Sequence, residues 1–324
     1  MIAIGSTIRK LRILNNISQK EMSEKLGVSC QTISKWENEK SYPDIGMLPN
    51  IAAFFHITID TLFQGKLEDS NEVITDAVKG YMEENRVAWN QSVSNSWTGT
   101  ILPAYGPYTP NEEDLKLFDN MKDKVVLELA CGDGSSLSYL AEKGAKELYG
   151  LDISEIQIAK AKKTFAEQNI NAKFFVSPME VNPGIPLHYF DCVYSIYGIG
   201  WSLDINKVFY LVSRYLKANG IFIFSWDNPI IPCLQSKDGQ YILSKSYEEE
   251  KMISINRFGM QMYMRNWKMS SYINGLIENG MEIEKIIESS DYFNHKAEYS
   301  EKYYSDYKAK FINHCIIIKA RKRR

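Results

Sequence analysis

The stretch "DKVVLELACGDGSSLSYLAEKGAKELYGLDIS", residues 123–154, decides the fold of most of this chain. Val125 to Leu129 is a short, almost continuous apolar run, the pattern of a strand covered on both faces. "ACGDG" follows as a tight loop of small residues, Ser136 to Lys143 has helical spacing, and "YGLD" gives a second strand ending in Asp152. A loop of small residues lets a ligand approach the backbone, and an acid at the end of the second strand can accept hydrogen bonds from ribose hydroxyls. Taken alone, this strand-loop-helix-strand unit also suits a dinucleotide, because a single glycine loop does not choose between nucleotide ligands.

Working outward, "LELACGDG" with "LYGLDIS" is similar to the class I S-adenosylmethionine-dependent methyltransferases. "FDCVYSIYGIGW" resembles that family's fourth strand, and "INKVFYLVSRYLKANGIFIFSWDNP" its following helix, turn and fifth strand. "GMEIEKIIES" with "FINHCIIIKARK" resembles its closing antiparallel pair. The likeness implies a Rossmann-like α/β domain with a seven-stranded sheet and S-adenosyl-L-methionine as cofactor. By position, Glu128 would hold the methionine amino end, Gly132 and Gly134 would make room for it, and Asp152 would bind the ribose hydroxyls. Ile153 and Met179 would lie against adenine, and Ala130, in place of the loop's first glycine, and Ser195 would also border the cofactor. In "FFVSPMEV", Pro178 stands where many relatives carry an acid for the adenine amine. Ser154 is expected to cap the next helix, with Gln157 completing the box.

Methyl transfer from a sulfonium is a direct displacement, so the protein must align the two reactants in a dry pocket; neither a metal nor a covalent nucleophile is needed. No general base is named; His188 reads as a loop residue. The aromatic residues Trp89, Trp97 and Tyr105 before the core, Tyr197 and Trp201 after the fourth strand, and Tyr263 and Trp267 further on are the candidate lining for a small, partly apolar acceptor. "SWDNPII" resembles the Asn-Pro-Pro-Tyr motif of amino-group DNA methyltransferases, but it follows the fifth strand instead of the fourth and lacks the second Pro.

Ahead of this domain, short amphipathic segments separated by Asn, Gly and Pro predict helices over Ser6–Leu14, Gln19–Leu26, Cys30–Glu37, Asp44–Phe55 and Ile59–Phe63. Ser18 with Glu21 forms a capping box, Gly27 ends that helix, and Ser29 caps the next after a tight turn. Two short helices joined this way suit the major groove. "ISQKEMSEKLGVSCQTISKWENEKSYPD" resembles the lambda-repressor-like helix-turn-helix family. The likeness implies Gln19 against a phosphate, Cys30, Gln31, Ser34 and Lys35 toward bases, and a tie between Arg12 and Glu37. Gln31 is the best reader, since its amide matches adenine N6 and N7 together.

The expected organisation is therefore an all-α helix-turn-helix domain (1–66), a linker (67–80) around the polar run "QGKLEDSN", and a methyltransferase domain (81–324). Within the linker's reach a helix is expected over "VITDAVKGYMEENRVAWNQSV", and Thr109, Pro110 and Glu112 predict a capped helix running to Met121. Residues 1–66 carry eight Lys/Arg against six Asp/Glu in a chain of net charge -2, which confines any DNA contact to the front or to the tail "KARKRR". Five scattered cysteines without a CxxC pair fit reduced thiols in the cytoplasm and suggest no zinc site, and no apolar run is long enough to span a membrane. The reading is a homodimeric transcriptional regulator of a palindromic operator, fused to a methyltransferase for a small-molecule acceptor. Two alternatives stand beside it: a ligand-sensing regulator without catalysis, and a nucleic-acid methyltransferase.

Overall fold

The computed structural model describes residues 4–14, 17–55, 59–64, 76–92, 101–257, 259–289 and 293–323. The chain divides into two compact units, Met1–Thr75 and Asp76–Arg324. Trp97 lies outside the described residues.

In the front unit the helices are α1 (Ile4–Leu14), α2 (Gln19–Leu26), α3 (Cys30–Glu37), α4 (Leu48–Phe55) and α5 (Ile59–Gln64). Local chemistry sets their ends. Ser18 accepts the Glu21 N–H at 3.1 Å while the Glu21 carboxylate accepts the Ser18 N–H at 2.7 Å, and Gly27 closes α2 at φ 67°. Ser29 accepts the Thr32 N–H and opens α3. The helix expected from Asp44 instead begins as a 3-10 turn over Ile45–Met47, because Asp44 turns its carboxylate onto the Gly46 N–H. One apolar cluster, including Ile8, Met22, Ile33, Trp36, Ile51 and Phe55, holds the unit together. At Gly5 an added Cβ would sit 1.9 Å from the Trp36 carbonyl oxygen, so α1 can lie on α3 only because this residue has no side chain.

The rear unit opens with α6 (Asp76–Ser92) and a single-turn helix α7 (Glu112–Leu115). The sheet core follows as β1 (Val125–Leu129), α8 (Ser135–Glu142), β2 (Glu147–Asp152), α9 (Glu155–Glu167), β3 (Ala172–Val176), β4 (Phe190–Ser195), α10 (Ile205–Tyr215) and β5 (Leu216–Asp227). Two hairpins come next, β6 (Leu234–Lys237) with β7 (Gln240–Leu243) and β8 (Met252–Arg257) with β9 (Met260–Arg265). The chain closes with α11 (Met269–Glu278), β10 (Met281–Ile287), α12 (Asp306–Ala309) and β11 (Cys315–Lys322).

Among the described residues a seven-stranded sheet forms in the order β10-β11-β5-β4-β1-β2-β3. β1 to β5 pair in parallel, while β11 runs antiparallel to β5 and to β10, as the closing pair was expected to do. Every residue of β1 is buried. Alternation sends Leu127 and Leu129 into one core with Phe209, Phe222 and Tyr272, and Val126 into the opposite core with Leu137, Phe165 and Ile317. The strand order reverses between β1 and β4, and the loops leaving their carboxyl ends diverge there, which is where parallel sheets leave a crevice for ligands.

Two expectations need correction. The helix from Thr109 to Met121 is replaced by α7, capped by Asn111 with Asp114. Thr109 donates its hydroxyl back to the Gly106 carbonyl, and the buried Glu112 carboxylate accepts the N–H groups of Leu117 and Phe118, which a continuing helix would need. In the tail, Lys319, Arg321 and Lys322 are not free cations either. Lys319 is buried against Asp119 and the Leu117 carbonyl, Arg321 pairs with Glu284, and Lys322 donates to the carbonyls of Ser213 and Leu216. No helix among the described residues is long and apolar enough to cross a membrane.

Candidate functional site

The crevice beside β1 and β4 is a cavity built from seven stretches of chain. After β1 it takes Ala130 and Gly132; from β2 and the turn into α9 it takes Leu151, Asp152, Ile153 and Gln157; after β3 it takes Ser177, Pro178, Met179 and Glu180. After β4 come Ile196, Tyr197, Gly198, Trp201 and Leu203, and Trp226 comes from the end of β5. The helix α6 covers it with Met82, Asn85 and Trp89, and Arg257 enters from the end of β8.

Asp152, the last residue of β2, is an acid of this lining. Its Oδ2 accepts the Gly132 N–H and its Oδ1 the Ser154 N–H, both at 2.8 Å, so the glycine loop is drawn against the end of β2. Burial pushes its carboxyl up to about 6, against the opposing pull of the Ser154, Gly132 and Ile153 backbone N–H groups. Ala130 holds φ 54° and Gly132 φ 53°; the left-handed bend thus survives at a residue with a Cβ, at a cost of about 1 kcal/mol for alanine.

Of the residues expected at the cofactor, Ala130, Gly132, Asp152, Ile153 and Met179 line this cavity, and Glu128, Gly134 and Ser195 do not. Glu128 follows Val126 onto the opposite face of β1, where its carboxylate accepts the hydroxyls of Ser136 and Tyr194. Burial pushes it up to about 8, with those two hydroxyls pulling the other way. Gly134 packs at the start of α8 against Phe165, and the Ser195 hydroxyl is buried at the end of β4 without a hydrogen-bond partner.

Trp89, Tyr197 and Trp201 line the cavity as expected for the acceptor. With Trp226 they form a continuous aromatic wall, the ring centroids lying 5.2 Å apart for Trp89–Trp201, 5.9 Å for Trp201–Trp226 and 5.0 Å for Tyr197–Trp226. The Arg257 guanidinium sits 5.7 Å from the Trp89 ring and 5.6 Å from that of Trp201. Tyr105 is elsewhere: it is fully buried in the second core and donates its hydroxyl to Glu112. Tyr263 stacks on Tyr81, and Trp267 donates to the Ser202 carbonyl, so neither reaches the cavity. His188 is exposed, its ring 3.2 Å from the Lys322 amine. Asn228 of "SWDNPII" is spent on the turn, accepting the Ile230 N–H and donating its own N–H to the His314 carbonyl.

The helix α6 is fastened over this cavity. Asn90 accepts the Ser154 hydroxyl at 2.7 Å, Arg86 pairs with Glu155, and Asn85 exchanges two hydrogen bonds of 2.7 Å with the Tyr263 backbone. Ser154 caps α9 through the Gln157 N–H, but Gln157 does not complete the box; the residue borders the cavity. Trp226, Arg257, Asn85 and Glu180 were not singled out from sequence, and Gln157 was read only as part of a helix cap. Trp226 could have been, since it ends a parallel strand next to the crevice; Arg257, in a hairpin with no motif, could not.

In the front unit, Cys30, Gln31 and Lys35 are exposed along α3 and Ser34 is half-buried. The Glu37 carboxylate accepts from the Arg12 guanidinium and, at 2.8 Å, from the Gln19 amide, so one acid ties α1, α2 and α3 together. Burial raises the Glu37 carboxyl, but the bonds from Arg12 and Gln19 outweigh it and leave it below its ordinary value.

Comparison with known proteins agrees with both units. Residues 8–62 match the helix-turn-helix family and residues 126–220 the methyltransferase domain family. The chain is 42% identical over 59 residues to the HTH-type transcriptional activator BcrR of Enterococcus faecalis, which is 18% of this chain and 29% of that protein. It is 28% identical over 106 residues to malonyl-[acyl-carrier protein] O-methyltransferase 2 of Coxiella burnetii, 32% of this chain and 42% of that one. The chain thus spans less than half the length of either relative. An S-adenosylmethionine-dependent methyltransferase from Mesorhizobium loti superposes with a TM-score of 0.52 at 19% identity, covering 64% of this chain and 95% of that one. This chain joins a helix-turn-helix domain to a domain with the methyltransferase fold.

Proposed function

We propose that the rear unit binds S-adenosylmethionine in the cavity beside β1 and β4 and passes its methyl group to a small molecule, while the front unit binds a palindromic DNA operator as a homodimer. The observation that carries the enzymatic reading is one cavity lined both by Asp152 with the glycine loop and by the aromatic wall with Arg257. The residues fit the cofactor. An added Cβ at Gly132 would meet nothing within 4 Å, and Asp152 has acceptor capacity beyond its two backbone donors. Asp152 would take the ribose hydroxyls, and Ile153 and Met179 would flank the adenine.

When bound, the cofactor supplies an electrophilic methyl group on a sulfonium sulfur. The protein's part is to position. The wall of Trp89, Trp201, Trp226 and Tyr197 excludes water and presents flat apolar faces, and Arg257 gives the same wall a cation suited to an acceptor with an anionic group. On α3, the exposed Gln31 and Lys35 are available to bases, which supports the operator reading.

Incubating the full chain with methyl-labelled S-adenosylmethionine and a fractionated cell extract tests the enzymatic reading, and label is expected in a small-molecule fraction. Label in nucleic acid or protein, or none anywhere, contradicts it. Selection from random DNA should return an enriched palindrome with half-sites about one helical turn apart, roughly 34 Å; an unenriched pool contradicts the operator reading.

A further inference from the structure

We infer that the methyl acceptor is an organic acid with a flat apolar body, and that Arg257 binds its anionic group and turns amines away. This rests on the methyltransferase reading of the cavity.

Aromatic faces that converge on one cavity attract cations, and such a cage by itself would suit an ammonium group. Here the protein fills that seat with a cation of its own. The Arg257 guanidinium lies 5.7 Å from the Trp89 ring and 5.6 Å from the Trp201 ring, and those two indoles meet edge to face with centroids 5.2 Å apart. All three residues line the cavity, and Arg257 is the one cation among the described residues that do. An amine entering the cavity would find these ring faces occupied and a like charge beside them. A carboxylate would find a planar fork of N–H donors, because a guanidinium stacked on a ring still presents its edge. The cofactor's sulfonium adds a second positive charge, so the charge pattern again favours an acid over an amine.

The acids around the wall are engaged with other donors. The Asp227 carboxylate accepts the hydroxyls of Tyr197, Tyr303 and Tyr304. Glu180 also lines the cavity, but its Oε1 accepts the Ser202 hydroxyl at 2.9 Å and the Leu203 N–H at 2.7 Å, which holds the turn that follows Trp201.

The placement of Arg257 suits a specificity residue. It ends β8, in a hairpin outside the seven-stranded sheet, and variable additions on a rigid scaffold are where selectivity is usually carried. The partner strand β9 is joined to α6 by the two 2.7 Å bonds between Asn85 and the Tyr263 backbone, so the elements that bring Arg257 and Trp89 together are tied to each other.

The test separates the small molecules of a cell extract by ion exchange into acids, neutral compounds and amines, and incubates each fraction with the full chain and methyl-labelled S-adenosylmethionine. Labelling of the acids is expected to exceed that of either other fraction by about tenfold or more. Arg257→Gln should lower labelling of the acids by about tenfold, and Arg257→Lys, which keeps the charge without the fork, should fall between it and the wild type. Affinity for S-adenosylhomocysteine, titrated calorimetrically, should stay within about twofold of wild type in both variants. Label mainly in neutral compounds or amines, or undiminished labelling of the acids by Arg257→Gln, overturns the acceptor assignment and leaves the methyltransferase reading standing. A loss of labelling matched by a loss of cofactor affinity gives Arg257 a structural role and overturns it as well. A wild type that labels no fraction overturns both readings.

Discussion

Asp152 and Asp227 end two parallel strands of one sheet, β2 and β5, on opposite sides of the crevice, and burial raises both carboxyls. They are satisfied by different means. Asp152 takes its two close donors from the main chain, Gly132 and Ser154, and faces the cavity. Asp227 is enclosed by three phenols: Tyr197 and Tyr304 donate to its Oδ1, and Tyr303 donates to its Oδ2 at 3.2 Å. Main-chain donors fix the position of an acid and leave its outer lone pairs open to a ligand. A ring of hydroxyls closes it off. Asp227 therefore organises the wall through Tyr197, whereas Asp152 meets what enters the cavity.

The largest effect that could break this contrast is on folding. Asp227→Ala removes the shared acceptor of three tyrosine hydroxyls, and the rear unit is expected to lose about 3 kcal/mol in urea unfolding, with affinity for S-adenosylhomocysteine changed less than twofold. Unchanged stability would mean that the phenols hold one another without the acid.

A smaller effect should appear at the wall. A Cβ on Gly200 would lie 1.8 Å from the Trp226 indole, so Gly200→Ala must displace that ring. Overpacking of this kind costs about 1–3 kcal/mol, and methyl transfer to the acceptor should fall about tenfold, which is about 1.4 kcal/mol in the barrier. Cofactor affinity should hold. A matching loss of cofactor affinity would show that the wall and the cofactor site are not separate.

The effect of pH is small over any one unit and accumulates over several. Glu128 and Asp152 titrate in the folded chain at about 8 and about 6, above their ordinary values. From about pH 4.5 to 8 the folded state therefore keeps a proton on Glu128 that the unfolded chain has lost. Stability of the ligand-free rear unit should fall as pH rises, by about 1.4 kcal/mol per pH unit while one proton separates the states. Glu128→Gln should flatten that slope. Ligand affinity runs the opposite way, since ribose hydroxyls need the ionised Asp152: it should weaken as pH drops through about 6. A flat affinity between pH 5 and 7 would remove Asp152 from the ribose.

Much of the architecture was legible where the signal is short in sequence. The caps at Ser18, Gly27 and Ser29 act within four residues, and the β1-loop-α8-β2 stretch states its own alternation and turns. The cavity was only half legible. Its expected cofactor residues come from one stretch and the turn after β3, but the wall with Arg257 is assembled from α6, the turn after β4, the end of β5 and a hairpin, segments whose meeting is a property of the folded sheet. Tyr105 shows the limit well: an aromatic near the core reads as a pocket residue until Glu112, seven residues away, takes its hydroxyl into the other core. Thr109 failed for a related reason, because a buried carboxylate claimed the N–H groups that its helix required.

Titration of S-adenosylhomocysteine into the full chain at pH 7, wild type against Asp152→Ala, tests the central claim most directly. The wild type should bind, and the variant should bind more weakly by about 3 kcal/mol, two charge-assisted hydrogen bonds to the ribose being lost and partly compensated. Equal affinities, or no binding by a folded wild type, would contradict the assignment of this cavity to the cofactor.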